Sequence, residues 1–463
     1  MAGWPPATLP CGIIAPLVVR TDRIEAAFDL SRLTNEAIDL LRQYLTIDTT
    51  NPPGNVSKAA AWLEQLLDSE GISSHRLGRS TEKANVVATL DGGDAGPLIL
   101  AHHMDVVPAV RDDWSVDPFA GELKDGFIWG RGSLDMKGFG VLTLICMLAL
   151  KRHRVPLRRP LRILATADEE VGGIDGARWL AANCLDEVGG ELLLTEGAFA
   201  RVGPRSTYYA VQTAEKGVST IKLTARGQPG HASSPRDDNA VIRIARAIAA
   251  IGGYRSPPAA LELARRFLSV FPPGALRLDG RKTVAQLSDT DMEELLFKLS
   301  GGSRIQNMLR NTFVPTMVNA GLGQNVIPPV CEAYVDCRSV PGVSGDDLLA
   351  EVASVIGDPE VSLELVKSSV GTESPVESEL MASIREAVKR ERPDAIVVPY
   401  LTSGGTDCKH FRPHGIICYG HIPFELDDSE AERIHGVDER VSLENMERAL
   451  RILMRTVVAI CAQ

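Results

Sequence analysis

The stretch LRILATADEEVGG, residues 161–173, places three adjacent acids directly after a short apolar run. The run is typical of a buried β-strand, and Asp168, Glu169 and Glu170 stand at its end. Like charges repel each other, so three neighbouring carboxylates need compensation. A helix N-terminus would offset one or two of them through its dipole. Divalent cations would account for all three better, because a metal ion cancels the repulsion.

Short apolar strands alternate with helical segments on both sides of this stretch. The predicted strands are 85–90, 97–103, 161–167 and 191–197. The predicted helices are two segments within 34–71 joined by NPPGN, a helix at 137–152, and GARWLAANCL at 176–185. This alternation favours an α/β domain with helices on both faces of the sheet.

The pattern changes near residue 207, where YYAVQTAEKGVSTIKLTARG alternates polar and apolar residues. Such alternation predicts a half-exposed antiparallel strand pair. Helical segments and further strand-like runs follow, and the α/β alternation resumes with predicted helices at 377–391 and 442–461. We therefore predict one domain built from residues 1–211 and 371–463, with an α+β domain, residues 212–370, inserted into it as a lid.

Composition excludes several classes of protein. The 463 residues are 44% hydrophobic and 24% charged with a net charge of -11, which argues against nucleic-acid binding. No run approaches the roughly 18 to 20 apolar residues of a membrane helix. The apolar run Cys11–Val19 fits either a secretory signal or an unanchored arm. Eight cysteines without a C-x-x-C pair indicate reduced thiols and a cytoplasmic location.

A second candidate site is LAHHMDVVPA, residues 100–109. His103 and Asp105 are two positions apart, so on a strand they point to the same side. A carboxylate in that position commonly orients a metal-binding histidine. His102 faces the opposite way, which favours a structural role. By itself the H-x-D pattern is a weak signal.

Three more polar residues lie at strand ends or loops, each with an ordinary structural alternative. Asp135 in WGRGSLDMKG stands where a helix cap is common, Glu196 follows an apolar strand, and His435 precedes the last helix. A lone histidine is most often a satisfied surface or core residue. Taken together, however, these histidines and carboxylates are the ligand types of a two-metal hydrolase.

The order of these motifs resembles the di-zinc family of aminoacylases, carboxypeptidases and desuccinylases, and most of all its branch of carboxypeptidase S and N-fatty-acyl amino acid hydrolases. The resemblance covers about residues 40 to 460. The matching stretches are NPPGN, HMDVVP, GRGSLDMKG, TADEEVGG, TEG, AEKG, GQPGHASSP, NVIPP, DCRSVPG, GGTD and HGVDERV.

The resemblance implies a role for each matching residue of the metal site. One zinc ion would be bound by His103 and Glu196, the other by Glu170 and His435, with Asp135 between them. Asp105 would orient His103, and Glu169 would be the general base. Cobalt or manganese would suit the same ligands.

The resemblance also implies that the inserted domain forms the interface of a homodimer. His231 would reach the partner's active site and stabilise an oxyanion. Asn325 and Arg338 would hold the substrate, with Arg338 on its carboxylate, and Gly405 would line the pocket. The expected substrate is a small molecule, an N-acyl amino acid or a short peptide with a free carboxylate. The alternatives are an N-fatty-acyl amino acid synthase/hydrolase and a catalytically silent homologue that binds amino-acid derivatives.

The chain departs from the family pattern in three places. Where many relatives have an arginine near GGTD, this sequence offers Lys409 or Arg412. Three histidines of unassigned role lie close by, namely His410, His414 and His421. An added helical stretch at about 255–310 favours the carboxypeptidase-like branch over a diaminopimelate desuccinylase.

Overall fold

The computed structural model describes residues 28–202, 207–259, 264–265, 268–269, 283–299, 307–321 and 323–463. The apolar run Cys11–Val19 and much of the added stretch 255–310 lie outside the described residues. The chain forms two compact units. The first comprises Met1–Val211, Pro375–Val397 and His414–Gln463, and the second comprises Gln212–Ser374 and Val398–Pro413.

The helices and strands of the described residues are numbered in chain order. The helices are α1 (Leu30–Leu45), α2 (Ser57–Ser69), α3 (Lys137–Arg152), α4 (Ala177–Asn183), α5 (Leu185–Val188), α6 (Ala240–Gly253), α7 (Asp289–Leu299), α8 (Gly345–Ile356), α9 (Glu379–Glu391), α10 (Cys408–Phe411), α11 (Asp428–Ala431) and α12 (Leu443–Cys461). The strands are β1 (Ser74–Leu77), β2 (Asn85–Leu90), β3 (Leu98–His103), β4 (Glu122–Lys124), β5 (Phe127–Trp129), β6 (Leu161–Thr166), β7 (Leu192–Val202), β8 (Thr207–Glu215), β9 (Gly217–Arg226), β10 (Gly230–His231), β11 (Thr312–Ala320), β12 (Val326–Ile327), β13 (Val330–Ser339), β14 (Val361–Ser369), β15 (Thr372–Glu373), β16 (Ile396–Thr402), β17 (Ile417–Leu426) and β18 (Arg440–Ser442).

The first unit is built on a mixed sheet in the order β1-β2-β6-β3-β7-β17-β8. Strand β3 runs parallel to both β6 and β7, whereas β2 runs antiparallel to β6. The predicted mixed α/β fold is therefore confirmed. Because parallel strands end at the same edge, His103 lies beside Thr166 in register, and Leu100 lies beside Leu194, two residues before Glu196.

Helix α3 coincides with the predicted span 137–152 and is buried on almost every side. Its sequence is apolar all round, as expected for a helix enclosed by the core rather than lying on a surface. Helices α1 and α12 are amphipathic, and both pack against α3. None of the helices in the described part of the chain is long and apolar enough to cross a membrane.

The second unit contains an antiparallel sheet in the order β11-β13-β9-β14. Alternate residues of β9 and β13, among them Leu223 and Val335, form a core with residues of α6 and α8. This alternation is the period of a sheet with one face covered by helices. The other face carries polar side chains such as Lys222 and Arg338, which are partly exposed.

The prediction that residues 208–227 form one strand pair is wrong. The stretch contains two strands, β8 and β9, but they do not pair with each other. Strand β9 pairs with β13 and β14, whereas β8 pairs with β7 and, at Glu215, with β15. Only Lys216 separates the two strands. A hairpin needs a loop of at least two residues, so the chain continues onward into a second sheet.

Candidate metal centre

His103, the last residue of β3, is buried and hydrogen-bonded on both ring nitrogens. Its Nδ1 lies 2.9 Å from the main-chain carbonyl oxygen of Asp105. A carbonyl only accepts, so Nδ1 carries a proton, and Nε2 is the ring nitrogen that faces the carboxylates. Nε2 lies 3.1 Å from Oδ1 of Asp135 and 3.7 Å from Oε1 of Glu196. The imidazole is therefore oriented as a metal ligand would be.

Asp135 lies between two imidazoles. Oδ1 faces His103, and Oδ2 lies 3.1 Å from Nε2 of His435. The same His435 nitrogen is 3.3 Å from Oε2 of Glu170. The two oxygens of one carboxylate thus face two different histidines, which is the arrangement expected of a carboxylate shared by two metal ions.

Asp105 connects the end of β3 to the short 3-10 turn Glu169–Val171. Its carboxylate accepts hydrogen bonds from the main-chain N–H groups of Glu169 at 3.1 Å and Glu170 at 3.3 Å, and from Nδ2 of Asn51 at 2.8 Å. Its Oδ1 lies 3.5 Å from Nδ1 of His103. The carboxylate thus orients the turn that carries two acids, while the Asp105 carbonyl makes the shorter contact to His103.

Asp168, to which the sequence assigned no role, closes the loop after β6. Its carboxylate accepts hydrogen bonds from the main-chain N–H groups of Asp175 at 2.9 Å and Gly176 at 2.6 Å. Of the three adjacent acids, Asp168 is therefore the one engaged within its own loop. Glu169 and Glu170 are left to face the cluster.

Mutual contacts and burial shift the pKa values of the cluster. Burial and the neighbouring Asp135 raise the pKa of Glu196 to about 8. Hydrogen bonds to Asp135 and Glu170 raise the pKa of His435 to about 10. For Asp135 itself, burial opposes ionisation, but hydrogen bonds from His103 and His435 outweigh it and lower the pKa. Proton and metal therefore compete for the same ligand atoms.

The donor set fits two divalent ions such as Zn²⁺. Two overlapping groups of side chains have potential ligand atoms within 4.8 Å of one another. One group is His103, Asp135 and Glu170, and the other is His103, Glu169 and Glu196. Imidazole nitrogen and carboxylate oxygen are ordinary zinc ligands. Within the described residues, Oε1 of Glu170 is buried without a hydrogen-bond partner. A buried lone pair of this kind is costly unless something binds it.

Metal binding is expected to release protons, because the metal takes the deprotonated ligands. With pKa values of about 8 for Glu196 and about 10 for His435, both groups carry protons near neutral pH. The apparent affinity should therefore weaken as the pH falls below these values. Calorimetric titration with Zn²⁺ in two buffers of different ionisation enthalpy measures the release. Equal heats in both buffers would contradict it.

The remaining candidate residues lie in the second unit. His231 is exposed in β10, its Nδ1 2.7 Å from Oγ of Ser233, and the next residue donates its main-chain N–H to the carbonyl of Asn325. His231 and Asn325 are therefore neighbours. Arg338 forms a two-point ion pair with Asp336, with Nε–Oδ1 at 2.7 Å and Nη2–Oδ2 at 3.2 Å. Gly405 lies in an exposed loop.

A buried ion pair holds the end of that loop. Oε2 of Glu215 accepts the main-chain N–H of Thr406 at 2.6 Å, and its Oε1 lies 2.8 Å from Nη1 of Arg412. Arg412 is thus buried in an ion pair with Glu215. Lys409, the other basic residue that the sequence offered near GGTD, is partly exposed. His421 is buried, and its Nδ1 contacts the carbonyl of Ala210 at 2.9 Å, as a structural histidine would.

Comparison with known proteins places these features in a family. The model of peptidase family M20/M25/M40 matches residues 99–459. The "Probable carboxypeptidase S-like 2" of Dictyostelium discoideum is 30% identical over 367 residues, which cover 76% of this chain and 69% of that protein. The N-fatty-acyl-amino acid synthase/hydrolase of Mus musculus is 28% identical over 391 residues, covering 79% and 75% respectively. The crystal structure of an M20 family metallo-carboxypeptidase from Sulfolobus solfataricus superposes with a TM-score of 0.67 at 17% identity, covering 91% of this chain and 98% of that one, and so shares the fold.

Proposed function

The chain belongs to peptidase family M20/M25/M40, a family of metal-dependent hydrolases, and we propose that it is a dinuclear zinc amidohydrolase. Its substrate is an N-acyl amino acid or a short peptide with a free carboxylate. The observation that carries this proposal is the position of Asp135, whose two oxygens face His103 and His435. One ion would be held by His103 and Glu196 and the second by Glu170 and His435, with Asp135 available to both.

The proposed chemistry assigns a separate task to each side chain. When bound, the ions supply Lewis acidity and lower the pKa of a water molecule. Glu169 accepts a proton from the attacking water and delivers it to the leaving amine. Asp105 holds Glu169 in place through the main-chain N–H of that residue. Arg338 binds the substrate carboxylate, since a guanidinium matches its two oxygens.

A substrate screen tests the proposal directly. The purified chain would be loaded with Zn²⁺, Co²⁺ or Mn²⁺ and offered N-acyl amino acids, fatty-acyl amino acids and dipeptides, with release of free amine as the signal. Elemental analysis would accompany it. Two ions per chain and amine release from carboxylate-bearing amides support the proposal. A chain that retains no more than traces of metal would overturn it.

An N-fatty-acyl amino acid synthase/hydrolase is the second candidate, favoured by the similarity to the mouse protein of that name. The same site would then work in either direction. The screen separates the two candidates by the chain length of the preferred acyl group. A silent homologue is disfavoured, because all five proposed ligands and Glu169 are present. We also propose a cytoplasmic location, since the seven cysteines in the described ranges are free thiols.

His231 is proposed to act on the partner subunit's active site in a homodimer. His231→Ala should lower kcat by about 10²-fold or more, as loss of an oxyanion donor does, without dissociating the dimer. Mixing His231→Ala with Glu169→Gln subunits is the sharper experiment. In a two-fold dimer, exchange would restore about a quarter of wild-type activity if His231 acts in trans. No recovery, with exchange of subunits demonstrated, would show that it does not.

Arg338→Ala should raise KM for carboxylate substrates by about 10- to 100-fold, because that factor corresponds to the free energy of a hydrogen bond to a charged group. Neutral esters or amides should be affected much less. Lys222→Ala is the matched control, because Lys222 lies on the same face of the sheet and pairs with Glu332 at 2.7 Å. Equal effects on charged and neutral substrates would remove Arg338 as the carboxylate contact.

A further inference from the structure

Two segments that carry proposed metal ligands run side by side in the first unit. They are the Asp135 segment, residues 130–135, and the His435 segment, residues 435–439. Both adjoin a small three-stranded sheet, in which β5 pairs with β18 and Trp129 lies opposite Arg440. The main-chain N–H of Gly130 also bonds to the carbonyl of Glu439 at 2.9 Å. Beyond this point the strands no longer pair, although Asp135 lies five residues after Gly130 and His435 lies four residues before Glu439.

A buried ion pair spans the two segments beyond the sheet. Nη1 of Arg131 lies 2.6 Å from Oε2 of Glu439, and both side chains are almost completely buried. The other oxygen, Oε1, accepts three main-chain N–H groups of the Asp135 segment, from Gly132 at 3.1 Å, Leu134 at 2.7 Å and Asp135 at 3.1 Å. Glu439 therefore holds the backbone from which the Asp135 carboxylate projects.

Arg131 makes the reciprocal contact. Its Nη2 donates to the carbonyl of Gly436 at 2.7 Å, directly after His435. His435 has a φ of 60° and Asp438 a φ of 56°, both in the left-handed region. Residues other than glycine persist there only where the surroundings over-determine the backbone. The guanidinium supplies such a constraint at the peptide next to the histidine.

Of the other three proposed ligands, Glu170 lies in the turn held by Asp105, and His103 and Glu196 lie on paired strands. His103 ends β3, and Glu196 lies within β7, so the parallel pairing of those strands sets their separation. His435 lies in a loop, and its distance from Asp135 depends on how the two segments are joined. The two halves of the cluster are thus held by different means.

We propose that Arg131 and Glu439 are positioning residues that set the affinity of the metal ion held by His435 and Glu170. The ion held by His103 and Glu196 depends much less on the contact from Arg131 to Gly436, because that contact holds the peptide after His435 and not the Asp135 segment. This inference rests on the proposed metal centre.

Glu439→Gln is the sharpest variant. The amide oxygen still accepts the three main-chain N–H groups, whereas the amide nitrogen now faces the guanidinium, donor against donor. The contact to the Asp135 segment survives, and the contact through Arg131 to Gly436 is released. Arg131→Lys is the second variant, because it keeps the charge but cannot donate to Glu439 and Gly436 in the geometry of a planar fork.

Glu425→Gln is the matched control. The Glu425 side chain is only 5% exposed, and it pairs with Arg392 and Arg448 and accepts the hydroxyl of Tyr209 at 2.6 Å. None of these partners belongs to the metal cluster. A general effect of losing a buried carboxylate should therefore appear in this variant as well.

The experiment is equilibrium dialysis of each folded variant against buffered Zn²⁺, with metal per chain read by elemental analysis. Wild type should bind two ions. Glu439→Gln should keep the first ion at wild-type affinity and bind the second about 10- to 100-fold more weakly, the usual cost of losing a supporting contact. Arg131→Lys should show the same selective loss, and Glu425→Gln should bind both ions normally.

Two outcomes would overturn the inference while leaving the metal centre intact. One is wild-type affinity for both ions in Glu439→Gln and Arg131→Lys. The other is equal weakening of both ions, which would make the pair a support of the whole cluster. A wild-type chain that binds no Zn²⁺ would instead refute the proposed function itself.

Discussion

Glu169→Gln should lower kcat by about 10²- to 10⁴-fold, the usual contribution of a general base, while two ions per chain remain bound. Glutamine keeps the shape of the side chain but cannot accept a proton from water. Asp105 would still hold residue 169 through its main-chain N–H, so the turn should keep its position. We expect KM to change little, because substrate contacts are assigned to other residues.

The neighbouring acid provides the matched comparison. Glu170 contacts His435 and is a proposed ligand, so Glu170→Gln should lower metal content, whereas Glu169→Gln should not. Glu169 also belongs to one of the two groups with metal-compatible spacing, together with His103 and Glu196. Measurement of metal per chain and kcat on both variants therefore separates base from ligand. Metal loss in Glu169→Gln would make Glu169 a ligand.

Asp135→Asn should lose tight binding of both ions and lower turnover by about 10³-fold, since a metal ion supplies several kcal/mol of transition-state stabilisation. Both carboxylate oxygens are engaged, each with a different histidine. An amide would offer one oxygen and one nitrogen donor, so at least one contact is lost. Among the described residues, Asp135 is the side chain whose separate oxygens contact both imidazoles.

Elemental analysis and kcat with saturating Zn²⁺ check this prediction. Asp112→Asn, in the exposed 3-10 turn Arg111–Asp113, is a control of the same chemistry and should behave as wild type. If Asp135→Asn retained two ions at wild-type affinity, the carboxylate would not be shared between them. Activity rescued fully by high Zn²⁺ would indicate that only affinity depends on it.

Much of the fold followed from local pattern. The span of α3 and the strand end at His103 agree with the sequence, β6 ends one residue before the predicted end at Ala167, and the family match confirms membership of the peptidase family that the motifs resemble. The predicted pairing of β8 with β9 was wrong for a physical reason. Alternating polarity identifies a strand with one covered face, but it does not say which sheet covers it, and a single linking residue carried the chain into another sheet.

The supporting contacts of the site were harder to predict. Asp168 and Glu439 were not singled out for the roles they have, because each accepts main-chain N–H groups, and Asn51 was not, because it donates to the Asp105 carboxylate 54 positions away. A signal was present for Glu439, an acid four residues after His435 in HGVDERV, but nothing local links it to Arg131, 308 positions earlier. Only a contact between distant segments reveals such a partner.

The sequence by itself determined the chemistry available, namely histidines and carboxylates at strand ends, because strand polarity and hydrophobic period are local properties of the chain. The tertiary structure decided how those groups are used. It set which acid faces the cluster and which caps its own loop, and it joined the segments of Asp135 and His435. The physical reason is that burial and hydrogen-bond partners depend on the packing of segments far apart in the chain.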